Sequence, residues 1–126
     1  VADQVVKLML RKGIQVLGAK VLILGFTFKE NCPDVRNTKV IDIVHTLEEY
    51  KAEVTVHDPW ADPAIAKHEY GIELHNNIPE CKYDAIILAV AHDKFNDLDI
   101  TKITNGHRAV YDVKGVLSEG VIDGKL

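Results

Sequence analysis

Two runs of this chain, Val21-Leu22-Ile23-Leu24 and Ala85-Ile86-Ile87-Leu88-Ala89-Val90, are apolar at every position. A strand with one face in water alternates apolar and polar residues. A strand without alternation has both faces covered, the condition of a parallel sheet flanked by helices. The first run empties into the polar stretch Gly25–Thr38, and an amphipathic run, Lys39–Tyr50, follows. Strand, loop and helix in that order form the first half of a βαβ unit.

The rest of the chain repeats the theme. Ala2–Lys12 places Val5, Val6, Met9 and Leu10 near one helical face, with Gly13 as a stop. Strands are predicted at Lys20–Phe26, Glu53–His57, Ile72–Leu74, Ala85–Val90 and Ala109–Val113. Helices are predicted at Thr38–Tyr50, capped by Asn37 or Thr38, and at Pro63–Tyr70, closed by Gly71. Shorter helical segments are expected at Ile78–Cys81 and Leu98–Ile103, and Ser118–Leu126 carries no clear pattern. Right-handed crossovers then give a Rossmann-like, doubly wound α/β domain of about five parallel strands in three layers. The first strand should lie at the centre, with a switch point between it and the Ala85–Val90 strand.

The chain has 126 residues, enough for one domain with one core. Its formal net charge is −4, from 15 basic and 19 acidic residues, and no lysine- or arginine-rich block occurs. That disfavours broad electrostatic binding to nucleic acid or to an anionic membrane. No apolar segment reaches the roughly 18–20 residues of a spanning helix, and no signal peptide is visible. The chain starts without methionine at Val1, in what reads as mid-helix, so a piece of a longer protein is expected, with residues 1–13 as the end of a preceding helical segment and 14–126 as the domain itself. Two cysteines, Cys32 and Cys81, fit reduced thiols in a cytosolic protein better than a disulfide framework. The six histidines are scattered, and no His/Cys cluster has metal-ligand spacing, so they read as surface or structural and no metal is expected.

In an open α/β sheet, ligands bind at the carboxyl ends of the strands. The dinucleotide fingerprint GxGxxG belongs in the first strand–helix turn, where backbone must approach a pyrophosphate. Here that turn has only Gly25, followed by Phe26-Thr27-Phe28, and no GxxxxGK[ST] loop exists either. Asp58 ends the second strand where a ribose-binding acid would sit, but Pro59-Trp60 makes the turn stiff. The loop offers side chains instead. Lys29 is a point charge, and Arg36 is a planar fork suited to phosphate or carboxylate. Asp34 either steadies that fork or caps the helix. The alternative is a solvated loop whose charges pair among themselves, Glu30 with Lys29 and Asp34 with Arg36.

The stretch Leu24-Gly25-Phe26-Thr27-Phe28-Lys29-Glu30-Asn31-Cys32-Pro33-Asp34-Val35-Arg36-Asn37-Thr38 resembles the opening of the C-terminal, UDP-binding domain of the UDP-glucose/GDP-mannose dehydrogenase family. The Lys-Glu-Asn-Cys-Pro-Asp run is typical of the branch that oxidises UDP-N-acetylhexosamines, GlcNAc or GalNAc. Val56-His57-Asp58-Pro59-Trp60, His68-Glu69-Tyr70-Gly71-Ile72, Ala85–His92 and Asp112-Val113-Lys114-Gly115 extend the resemblance, in order, over nearly the whole chain.

The resemblance implies a two-step, NAD-dependent oxidation of a sugar C6 alcohol to a carboxylate, in surface polysaccharide biosynthesis. NAD would be bound mainly by an N-terminal domain, and a central helical segment would make the full-length enzyme a homodimer or higher oligomer in the cytoplasm. By the same resemblance Phe28 and Lys29 contact the UDP-sugar, Lys114 is a further substrate contact, and Arg36 reaches NAD across the cleft. The family's catalytic cysteine lies in a Gly-Gly-Ser-Cys-Phe-Pro-Lys-Asp-like segment that this sequence lacks, so no catalytic residue is expected here and the domain should be inactive alone. Cys32 reads as structural. Two other readings remain open: a non-catalytic Rossmann-like interaction module, and the same domain of a UDP-glucose 6-dehydrogenase.

Overall fold

A computed structural model of the chain describes residues 1–36, 38–117 and 120–126. Six strands form one parallel sheet: β1 (Lys20–Leu24), β2 (Glu53–His57), β3 (Leu74–His75), β4 (Tyr83–Leu88), β5 (Thr104–Asp112) and β6 (Gly124–Lys125). Their order is β3-β2-β1-β4-β5-β6, the strand order of a dinucleotide-binding Rossmann sheet. The two non-alternating apolar runs supply the central pair, with Val21 opposite Ala85 and Leu24 opposite Leu88. The progression of strands across the sheet reverses between them, so the switch point falls where the sequence places it.

Successive residues of β1 serve opposite faces. Val21 and Ile23 join the core beneath α1 (Ala2–Arg11), α2 (Val40–Glu49) and α3 (Pro63–Tyr70), packing with Val5, Met9, Val44 and Leu47. Leu22 and Leu24 join a second cluster with Tyr83, Ile86, Leu88 and Val110. That face is covered by a 3-10 turn at Asp93–Asp97 and by α4 (Ile100–Ile103), which contribute Phe95 and Ile100. The three-layer arrangement follows directly from the absence of alternation.

The described residues form six strands rather than about five, the sixth being β6. Gly124–Lys125 has no apolar signal, yet it pairs beside Tyr111 and Asp112. Gly124 fits there because a Cβ would come within 3.1 Å of the Tyr111 ring. β5 begins at Thr104, ahead of the expected Ala109, and its pairing with β4 slips between Tyr83 and Ala85. The polar Asn105-Gly106-His107-Arg108 in this irregular half conceals the strand. Ile78–Cys81 is not helical, and Pro79 there carries no N–H to donate. The expected Leu98–Ile103 helix shortens to Ile100–Ile103, with Asp99 capping it through Thr101 N–H. α2 starts at Val40, whose N–H donates to the Thr38 hydroxyl at 3.2 Å, while Asn37 lies outside the described residues.

Candidate functional site

The loop after β1 is a built object rather than a solvated turn. Gly25 turns the chain with φ +98, and a Cβ there would lie 2.6 Å from Val90 Cβ, so the close approach of the segments after β1 and β4 requires glycine. Phe26 then buries fully and meets Tyr70 edge to face at 5.3 Å. The Tyr70 hydroxyl donates to Val35 O at 2.6 Å, which ties the far end of the loop to α3. Phe28 N–H donates to Asp34 O at 2.7 Å and closes the segment between them.

Asp58, at the end of β2, is the anchor. It has no exposed surface. Its Oδ2 accepts from the N–H of Phe26 (2.7 Å) and Thr27 (3.1 Å), and its Oδ1 from the N–H of Trp60 (2.7 Å) and Ala61 (3.1 Å). His92 Nε2 is 2.8 Å from Oδ2, while His92 Nδ1 takes the N–H of Asn31 at 2.8 Å. With Nδ1 accepting, the ring proton sits on Nε2 and is donated to the carboxylate. Burial alone would raise the Asp58 pKa, but the hydrogen bonds from His92, Phe26 and Trp60 outweigh it and hold the carboxyl below its ordinary range. Asp58 is not free to act as a ribose acid, because its oxygens are taken by the loop after β1, by its own turn and by His92. Asp112, also fully buried, does the same at the end of β5, accepting from the N–H of Lys114, Gly115 and Leu117.

Between these two anchored turns, at the carboxyl ends of β1, β4 and β5, lies a cavity of about 310 Å³. Phe28, Lys114, Lys39, Thr27, Val90 and Val113 are among its walls. Phe28 and Lys114, singled out from opposite ends of the sequence, thus share one cavity. Lys29 is exposed on the same loop but does not line it. Arg36 is elsewhere: its Nε and Nη2 clasp Asp34 at 3.0 and 3.1 Å, with the Arg36 side chain 82% exposed. The Asp34–Arg36 pair expected of a self-paired loop forms, while no Glu30–Lys29 ion pair exists among the described residues. A second cavity of about 320 Å³ opens beyond β2, where His57, Asn77 and Phe95 meet Lys94, whose ammonium lies 4.9 Å from the Trp60 ring centre. Burial lowers the pKa of His57, whose Nδ1 bonds His75 O at 2.9 Å.

Lys39 reads in the sequence as an ordinary helix-start cation, and His92, read with the other histidines as surface or structural, stands alone after an apolar strand. Its only signal is position, just past the carboxyl end of the strand beside β1. Both cysteines are unpaired and partly exposed. Among the described residues, no group of His, Cys, Asp and Glu is arranged to hold a metal, and no helix is long and apolar enough to cross a membrane.

Residues 22–119 match the model of the UDP-glucose/GDP-mannose dehydrogenase family, UDP binding domain. The chain belongs to this family. It is 48% identical over its full length to the UDP-N-acetyl-D-glucosamine 6-dehydrogenase of Pseudomonas aeruginosa, and 45% identical to the enzyme of that name from Salmonella typhi. It covers 31% and 30% of those proteins, so it spans less than a third of the family members it matches. A 41% match covers 94% of the chain and 28% of Protein CapL of Staphylococcus aureus. Among solved structures, the NDP-N-acetyl-D-galactosaminuronic acid dehydrogenase of Methanosarcina mazei Go1 superposes with a TM-score of 0.81 over 92% of the chain and 25% of that protein, at 24% identity. That likeness establishes the family's α/β fold for the chain.

Proposed function

We propose that this chain is the UDP-sugar-binding domain of an NAD-dependent nucleotide-sugar 6-dehydrogenase, a cytoplasmic enzyme that oxidises a UDP-N-acetylhexosamine to its uronic acid for surface polysaccharide. The observation that carries the reading is the joint presence of Phe28 and Lys114 in one cavity at the β1–β4 switch point. The identity to two UDP-N-acetyl-D-glucosamine 6-dehydrogenases over the whole chain supports the choice of sugar. The cavity offers an aromatic ring and apolar wall beside two cations, Lys39 and Lys114, which suits a ligand with a flat base at one end and a diphosphate in the middle. Lys29, exposed on the same loop, is assigned the sugar end.

In the whole enzyme, NAD is held mainly by an N-terminal domain, and the chemistry of hydride acceptance belongs to it. This chain's part is to bind and orient. Arg36 faces the cofactor across the interdomain cleft; its pairing with Asp34 is at the surface and easily exchanged. Residues 1–13 form the end of the central helical segment, and full-length chains associate through that segment as a homodimer or larger assembly.

Two or three charged hydrogen bonds give roughly 3–9 kcal/mol gross, against an association cost of about 4 kcal/mol or more. The domain alone should bind UDP only at about millimolar concentration and turn over nothing. Titrating UDP-N-acetylglucosamine into the ¹⁵N-labelled chain should shift the amides of Phe28, Lys29, Lys39 and Lys114, and Phe28→Ala or Lys114→Ala should weaken the response several-fold. Shifts confined to the opposite, amino-terminal edge of the sheet, near Lys20 and Asp84, would overturn the assignment.

A further inference from the structure

We propose that His92 is a positioning residue for ligand binding: with Asp58 it fixes the loop that carries Phe28 and Lys29, through two hydrogen bonds that a neutral Nε2–H imidazole makes at once. The proposal rests on the UDP-sugar reading above. The loop backbone is pinned at two places. Asp58 holds its start by the N–H groups of Phe26 and Thr27, and His92 Nδ1 holds its far side by the N–H of Asn31 at 2.8 Å. Phe28 and Lys29 lie between the pins. The two pins are themselves joined, because His92 Nε2 donates to Asp58 Oδ2 at 2.8 Å, and both side chains have no exposed surface.

Three further contacts show that the arrangement serves the loop rather than the core alone. The Thr27 hydroxyl donates to Lys29 O at 2.9 Å and lies 3.1 Å from His92 Nε2, so the histidine touches the residue that braces Lys29. Asn31 Oδ1 accepts the N–H of Asp93 at 3.0 Å, so Asn31 is held by two consecutive residues after β4. Asn31 also stands at φ +57, a left-handed conformation that a non-glycine residue keeps where its surroundings fix it. The loop belongs to β1 and the histidine to the segment after β4, so the bond spans the switch point itself. A core histidine needs only some donor and some acceptor. Here the acceptor is the carboxylate that holds one end of the loop, and the donor is the backbone of the other end.

Two variants separate positioning from stability. In His92→Gln the amide NH₂ reaches the Nε2 position, so the bond to Asp58 is retained and the Asn31 N–H loses its acceptor. In His92→Asn the amide oxygen takes the Nδ1 position, so Asn31 is retained and Asp58 loses its side-chain donor. The readouts are amide hydrogen exchange, thermal midpoint and UDP affinity of the ¹⁵N-labelled chain. In His92→Gln, exchange at Asn31 should speed up about tenfold while Phe26 and Thr27 stay protected, and UDP affinity should fall about 2- to 12-fold, the net worth of one hydrogen bond. His92→Asn should melt lower than His92→Gln yet bind UDP more tightly. Affinity that instead follows the thermal midpoint, or Asn31 exchange unchanged in His92→Gln, overturns the proposal. A wild-type chain silent to UDP overturns the functional reading, and the exchange arm, run without nucleotide, still decides whether His92 holds the loop.

Discussion

The imidazole of His92 lies 2.8 Å from the carboxylate of Asp58, and neither side chain reaches solvent. The carboxylate also collects four backbone N–H groups from two different turns. Such a group keeps its charge because its lone pairs are filled, and it fails when one partner is altered. Asp58→Asn replaces one acceptor oxygen with an amide NH₂ aimed at donors. Each buried donor left facing that NH₂ costs about 1–3 kcal/mol, a large share of the roughly 5–15 kcal/mol that holds a domain folded. Urea unfolding of the variant should show the loss as a lower midpoint with an unchanged slope.

The frame of the domain was legible because its signal is local: Val21–Leu24 and Ala85–Val90 state their own two-sided burial. β6 and the first half of β5 were not, since the two-residue strand Gly124–Lys125 and the polar run Asn105–Arg108 owe their pairing to neighbours rather than to pattern. The site divides the same way. Phe28 and Lys114 were readable through motif resemblance, and the structure places them on one cavity. The Asp58–His92 contact joins residues far apart in sequence, and neither has a local pattern that names the other. Position alone makes Asp58 resemble a ribose acid; only its hydrogen bonds show that its oxygens are already taken.

Arg36 and Asp34 form an exposed, bidentate pair. The Arg36 side-chain hydrogen bond, with the Arg36 backbone N–H, holds the Asp34 carboxyl below its ordinary value. Arg36→Ala should let that carboxyl titrate nearer the ordinary range, as followed by the Asp34 side-chain carbonyl shift. The thermal midpoint should not move measurably, because exposed pairs contribute little to stability. A clear drop in the midpoint would show that the pair braces the loop.

Stability should fall in two steps on acidification. His57 has a folded pKa below the ordinary 6.5 because burial disfavours its charged form. Below 6.5 the unfolded chain therefore binds a proton that the folded chain refuses, and stability declines as pH falls toward the folded value. Asp58 adds the second step. Its folded pKa is below 3.8, so its contribution is intact above 3.8 and is lost as pH drops through the folded value. Thermal midpoints between about pH 8 and pH 3 should show both declines, and His57→Gln should flatten the upper one while leaving the lower in place. An upper decline that persists undiminished in His57→Gln would assign it to another histidine.

Gly25 sits where the turn after β1 packs against the segment after β4. A Cβ there would stand 2.6 Å from Val90 Cβ and 2.8 Å from Val90 N, at a φ of +98 that side chains rarely adopt. Gly25→Ala meets both penalties: about 1–2 kcal/mol for the left-handed backbone and about 1–3 kcal/mol for overpacking against backbone that cannot retreat. Urea unfolding should register a loss of roughly 2–5 kcal/mol. Relief would come from pushing Val90 away, and Val90 lines the cavity that Phe28 and Lys114 share. The amides of Phe28, Val90 and Lys114 should therefore shift together in the folded variant, and its response to UDP should weaken even at temperatures where it is fully folded. A variant as stable as the parent would mean that the approach of Gly25 to Val90 is looser than this geometry requires.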